Sequence, residues 1–220
     1  MLDHAPLEPL ALVLLDALCR LEIVGREIPE QLPGPAVLVA NHSSHLDCPA
    51  VLRALPSHQR RRTVVAAASD YFFRSSPVAT VARMSFPMVP VDRHGPARDA
   101  LRNCEKVLDE GRLLLIFPEG TRSADGSIRH FHRGAAALAI RRGVPIMPIG
   151  VFGLHTLLPK GSRLPRPGHA AICFGPVVHP RSGEDSRRLT AHIAAQVASL
   201  QAMAAKTIAS PVHGLSWELR

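Results

Sequence analysis

A histidine and an aspartate stand close in the chain, at His42 and Asp47, within Asn41-His42-Ser43-Ser44-His45-Leu46-Asp47. A carboxylate held on one imidazole nitrogen fixes the tautomer, and the other nitrogen is then able to take a proton from a hydroxyl. That is the chemistry of activating an alcohol. On one continuous helix the two residues would point about 140° apart, at about 100° per residue. They meet only if the chain bends between them, as it does where a strand gives way to a helix. The preceding run, Ala36-Val37-Leu38-Val39-Ala40, is wholly apolar and reads as a buried strand. Asp47 then reads as the N-cap of the following helix. Open α/β sheets bind ligands where strands end.

Two further polar segments follow apolar runs in the same way. Asp92-Arg93 comes after an expected strand at 88–91, and Pro118-Glu119-Gly120-Thr121-Arg122 comes after one at 113–117. An arginine offers a planar fork of donors that fits a phosphate or carboxylate. Gly120 permits close approach of backbone to a ligand.

Together these segments resemble the motifs of the glycerolipid acyltransferases, the family that includes lysophosphatidic acid acyltransferase. Asn41 to Asp47 is similar to the first motif. Phe86-Pro87-Met88-Val89-Pro90-Val91-Asp92-Arg93 resembles the second, Phe117-Pro118-Glu119-Gly120-Thr121-Arg122-Ser123 the third, and Val144-Pro145-Ile146-Met147-Pro148 the fourth. Order and spacing agree over about 21–178. The family pattern after the third motif is Phe-Lys-x-Gly, whereas this chain has Phe131-His132-Arg133-Gly134.

The resemblance implies direct acyl transfer from a fatty thioester, acyl-CoA or acyl carrier protein, to the free hydroxyl of a lysolipid. The default acceptor is 1-acylglycerol 3-phosphate; a lyso-aminolipid is the alternative. His42 and Asp47 would be catalytic. Arg93, Glu119, Gly120, Thr121 and Arg122 would bind the acceptor and its phosphate, with Glu119 ordering the arginines or accepting from a hydroxyl. Backbone amides near Ser43 are the expected oxyanion donors. No cofactor and no metal are implied.

Composition bounds the partners. A net charge of +8 and an isoelectric point near 10.3 favour an anionic partner: nucleic acid, an acidic membrane surface or a phosphorylated ligand. Nucleic-acid modules interleave cations with aromatics on one surface, and aromatics here are only 4 % of the chain. Nucleic acid is therefore not expected. Cys19, Cys48, Cys104 and Cys173 are widely spaced with no C-x-x-C pair, which suits reduced thiols. A metal-dependent hydrolase built on His42, His45 and Asp47 is a poor match, because the histidine spacing is wrong for a His-x-His-x-Asp-His pattern.

No secretory signal is expected, since residues 1–6 carry Asp3 and no Lys or Arg. The apolar stretch at 7–18 is too short to span a bilayer, which takes about 20 residues. It reads as a helix, either packed on the domain or lying in the membrane interface. Peripheral association with the cytoplasmic face of a membrane is the expected location.

The remaining pattern supplies the scaffold. Strands are expected at 21–24, 36–40, 63–68, 88–91, 113–117, 144–151 and 170–174. Helices are expected at 49–55, 77–84, 97–110, 134–142 and 187–206. Pro90 inside a strand argues for an edge or irregular position. Arg60-Arg61-Arg62 reads as a solvated run and 152–167 as a loop. Alternating strands and helices imply one α/β domain with a mixed, largely parallel sheet flanked by helices. The expected divisions are an N-terminal helix at 1–20, an acyltransferase domain at 21–206 and a tail at 207–220.

Overall fold

The computed structural model describes residues 5–72, 77–92, 101–162 and 164–210. Among these described residues seven strands form one sheet in the order β1-β7-β6-β2-β5-β3-β4. They are β1 (Cys19–Val24), β2 (Ala36–Ala40), β3 (Thr63–Ala68), β4 (Met88–Val91), β5 (Leu113–Ile116), β6 (Ile146–Phe152) and β7 (Gly168–Phe174). Every pairing is parallel except that of β6 with β7. The sheet is thus mixed and largely parallel, as the alternation of elements requires. β4, which contains Pro90, lies at one edge, where the N–H that proline lacks is not needed by a second neighbour.

β2 is buried at every position because both faces of the sheet are covered. Ala36, Leu38 and Ala40 face one core, which holds Leu12 and Leu15 of α1 (Glu8–Leu18) and Val51 and Leu52 of α2 (Asp47–Ala54). Val37 and Val39 face the other. There they meet α6 (Arg102–Asp109), α7 (Gly134–Arg142) and α9 (Ser186–Ala209), given in chain order after α3 (Ser57–Arg62), α4 (Ser69–Phe72) and α5 (Pro77–Ser85). A short α8 (Leu154–Leu157) follows β6. Each large side chain so buried contributes about 1.5–3 kcal/mol of transfer free energy.

α9 buries Leu189, Ile193, Val197, Leu200 and Ala204, one stripe at helical spacing. It crosses β6 where Gly150 has no side chain. A Cβ at Gly150 would stand 2.3 Å from the backbone carbon of Leu200 and 2.4 Å from the Gln201 nitrogen.

Several expectations are revised. The Arg60–Arg62 run forms the end of α3 rather than a loop: Arg60 pairs with Glu8 at 2.8 Å, and Arg62 donates to the Gly111 carbonyl at 2.7 Å. The expected 152–167 loop contains α8. The expected helix at 97–110 is described from Arg102, with Gly111 at φ +75° beyond its end. In α1 the apolar residues divide, Leu12 and Leu15 inward, Leu10, Val13 and Leu14 outward. The last helix runs past 206 to Ala209, while 211–220 of the expected tail lie outside the described residues.

Candidate active site

β2 and β5 are parallel neighbours, with Val39 opposite Ile116. The polar turns after them therefore leave from the same edge of the sheet, side by side. The first turn carries His42 and the second carries Glu119 to Ser123.

His42 and Asp47 meet. His42 Nδ1 lies 2.9 Å from Asp47 Oδ2, and the same oxygen accepts from the backbone amides of Ser43 at 2.6 Å and Ser44 at 2.8 Å. With two amides already donating to it, Oδ2 is an acceptor, and Nδ1 must carry the hydrogen. Nε2 is then the basic nitrogen. Asp47 is 0 % exposed and His42 18 %. The imidazole stacks on Phe117, with centroids 4.3 Å apart and planes at 24°. Phe117 and the Asp47 contact together limit rotation of the ring.

Two expectations about this turn change. Asp47 is the first residue of α2, not its N-cap; Leu46 occupies that place. Its carboxylate caps the turn behind it instead of the helix ahead. The amides of Ser43 and Ser44 are committed to that carboxylate, so they are not oxyanion donors in this geometry. The His42 amide is also taken, by Glu119 Oε1 at 2.6 Å.

Glu119 stands beside the first turn. It was expected among the acceptor-binding groups, but it is 4 % exposed and faces backbone. Oε1 accepts from the His42 amide, and Oε2 accepts from the Arg129 amide at 2.8 Å. Burial pushes its carboxyl up, and those two amide bonds pull it back. On the other side of His42, the Ser123 amide donates to the His42 carbonyl at 2.9 Å. The third-motif turn thus grips the histidine backbone through both its polar groups.

Asn41 anchors the same turn to the other neighbour of β2. Its Nδ2 donates to the Val151 carbonyl at 2.9 Å and its Oδ1 accepts from the Val151 amide at 2.8 Å. A side-chain amide here continues the β2–β6 ladder after β2 has ended. Ser44 Oγ donates to the Leu158 carbonyl at 2.9 Å, tying the turn to the segment after α8.

Gly120 adopts φ +67°, a conformation that a side chain resists, and the His132 ring lies against it. Thr121 is exposed and Arg122 partly so. The Arg122 charge reaches the first turn: burial first, then the charges of Arg122 and His42, push His45 down to about 4. His45 is therefore neutral near pH 7. Burial pushes the Cys48 thiol up, with the Asp47 charge adding to it, so this cysteine stays a thiol rather than a nucleophilic thiolate. Arg93, expected beside Arg122, lies outside the described residues, just past Asp92 at the end of β4. Among the described residues no group of three or more His, Cys, Asp or Glu is arranged to hold a metal ion.

The sequence pattern brought out His42, Asp47 and Arg122 but not the parts that hold them. Asn41, Phe117 and Ser123 lie inside the recognised segments, yet only the three-dimensional arrangement reveals their partners.

The sequence and the fold both match known proteins. A family model described as Acyltransferase matches residues 20–152. A 1-acyl-sn-glycerol-3-phosphate acyltransferase from Chlamydomonas reinhardtii is 32 % identical over 76 % of this chain and 49 % of its own length. A chloroplastic one from Brassica napus is 33 % identical over 60 % of this chain and 38 % of its own, and one from Pseudomonas aeruginosa 33 % identical over 46 % and 40 %. The chain spans about half or less of the length of these curated relatives. The crystal structure of the 1-acyl-sn-glycerophosphate acyltransferase from Thermotoga maritima superposes with a TM-score of 0.74. It covers 97 % of this chain and 80 % of that one at 23 % identity, a likeness of fold.

Proposed function

This chain belongs to the acyltransferase family, and from that premise we propose that it moves a fatty acyl group from acyl-CoA or acyl carrier protein to the free hydroxyl of a lysolipid, 1-acylglycerol 3-phosphate, giving phosphatidic acid. The observation that carries this reading is the His42 ring, held by buried Asp47 through Nδ1 so that Nε2 is the basic nitrogen.

In the proposed step His42 Nε2 takes the hydroxyl proton as the oxygen attacks the thioester carbonyl. The C–O bond forms, the C–S bond breaks, and the proton passes to the departing thiolate. Asp47 stabilises the imidazolium in between. Arg122, with Arg93, holds the acceptor's anionic head so that its hydroxyl faces the carbonyl. Gly120 and Thr121 line that approach, and Glu119 acts through its hold on His42. A positioned base accounts for roughly a hundred- to ten-thousand-fold, and orientation supplies much of the remainder.

The body from β1 through α9 is assigned to the catalytic domain, and α1 before it to a helix that also docks on a membrane. Leu10, Val13 and Leu14 of α1 and Val81 and Met84 of α5 are exposed apolar side chains on two helices in contact, and the Leu7 amide donates to the Met84 carbonyl. With the excess of cations, this supports peripheral association with an anionic membrane, on its cytoplasmic face. Among the described residues no helix is long and apolar enough to cross a membrane.

The test is acyl transfer from labelled acyl-CoA to a panel of lysolipids that includes lysophosphatidic acid and a lyso-aminolipid. The parent is expected to prefer lysophosphatidic acid, and His42→Ala to lose about a hundredfold or more in kcat. Equal turnover by parent and variant would sink the proposal.

A further inference from the structure

The segment after α8 carries none of the recognised motifs, yet it closes against both turns of the site. The Ser44 hydroxyl holds its Leu158 carbonyl at 2.9 Å. Two residues later Lys160 reaches across to the other turn, where Nζ donates to the Arg122 main-chain carbonyl at 3.0 Å. A cation is thereby anchored on the residue that supplies the site's own guanidinium.

Arg53, Arg60, Arg141 and Arg142 are all neutralised by carboxylates at 2.8–3.2 Å. Among the described residues neither Arg122 nor Lys160 is ion-paired. The two carboxylates nearest Arg122 in sequence do not serve them: Glu119 is turned to the amides of His42 and Arg129, and Asp125 accepts from the amide and hydroxyl of Ser127. Lys160 thus brings a second cationic residue to the Arg122 main chain on a chain of net charge +8. Fixing a lysine side chain costs rotamer entropy. A single bond to a carbonyl on the surface is a small return, and it uses one of the three N–H donors of the ammonium.

We propose that Lys160 is a substrate-binding residue: its ammonium, anchored on the Arg122 carbonyl, joins the Arg122 guanidinium in seating a phosphate monoester and sets the preference for phosphorylated over neutral substrates. This rests on the acyl-transfer reading above. The phosphate belongs either to the lysolipid acceptor or to the CoA portion of the donor, and the experiment separates the two.

Lys160→Ala and Lys160→Arg are compared with the parent, and Lys206→Ala in the last turn of α9 serves as a charge control. Acceptors are lysophosphatidic acid and monoacylglycerol; donors are acyl-CoA and the phosphate-free acyl-N-acetylcysteamine. Lys160→Ala should raise KM about tenfold for whichever phosphorylated substrate is seated there, with kcat within about twofold, one lost charge-assisted bond being worth about that. The phosphate-free counterpart should be unaffected, Lys160→Arg should restore most of the loss, and Lys206→Ala should match the parent. Unchanged KM for both phosphorylated substrates, or an equal loss with the neutral ones, overturns the proposal. Calorimetric titration of the intact protein with glycerol 3-phosphate and with free CoA reads the same seat without turnover. A parent that transfers no acyl group ends the acyl-transfer reading, and the titrations then decide on Lys160. Weakening of one ligand by about tenfold supports it; equal affinities in parent and variant, or no binding by the parent, rule it out.

Discussion

Glu119 holds the backbone of His42: its Oε1 accepts the His42 amide at 2.6 Å, from a turn on the neighbouring strand. The His42 residue is thus positioned from both ends, its side chain by Asp47 and its main chain by the third-motif turn.

Glu119→Gln tests whether this carboxylate braces or binds. A side-chain amide has one accepting end, so one of the two buried amides would face a donor. The variant should lose about 1–3 kcal/mol of stability in urea denaturation. Its kcat should fall at least tenfold while KM for lysophosphatidic acid changes less than threefold. Arg122→Ala should show the opposite split. A rise confined to KM in Glu119→Gln would return it to the acceptor-binding set.

Asn41 predicts a graded series. Asn41→Ala leaves both polar groups of Val151 unpaired in a buried place and should cost about 2 kcal/mol. Asn41→Asp sets an acceptor against the Val151 carbonyl and should cost more, about 3 kcal/mol. Chemical denaturation orders the two; a parent-like aspartate variant would contradict the clamp.

His45 predicts a pH effect. Its folded value of about 4 lies below the ordinary 6.5. Between these pH values the unfolded chain takes up the proton and the folded chain does not, so acidification favours unfolding. Stability from this source is intact above pH 6.5 and drains away as pH falls toward 4. In His45→Gln that dependence is gone. The Tm difference between parent and variant should therefore move against the parent from pH 7 to pH 4.5; a constant difference would refute the assignment.

Gly150→Ala should be among the most damaging small changes. Its methyl group would occupy space held by the α9 backbone. Helix displacement should cost about 3 kcal/mol, read as a lower urea midpoint. Ala at Gly143, where nothing lies within 4 Å of the added carbon, should be milder, limited to the cost of its φ of +62°.

The parts of this fold that were legible are those in which one segment carries its own signal. The stripe from Leu189 to Ala204 announces α9, and the apolar run before His42 announces β2, because burial imposes a period or the lack of one. The meeting of His42 with Asp47 followed from the bend that their spacing demands. The hold of Glu119 on His42 was not legible because its partners are backbone amides, which every residue has and no sequence pattern marks. Asp47 was misplaced by one position for a similar reason: its carboxylate is claimed by Ser43, Ser44 and His42 behind it. The helix over Arg60–Arg62 depends on Glu8 and on a carbonyl at Gly111, both remote in the chain. Lys160 had no local signal at all, since its partner lies on a different loop.

One pairing has a consequence for how the molecule is made. Among the described residues β1 is the first strand in chain order, and its one neighbour is β7, with Cys19 opposite Gly168. Until the final strand has left the ribosome, the leading strand has nothing to bond to, and contacts so distant in sequence form slowly. In nascent chains arrested at increasing lengths, the β1 amides should gain protection from hydrogen exchange only once β7 has emerged. Synthesis therefore leaves the β1 edge unpaired until β7 emerges, and a chaperone that covers it should raise the yield of native protein.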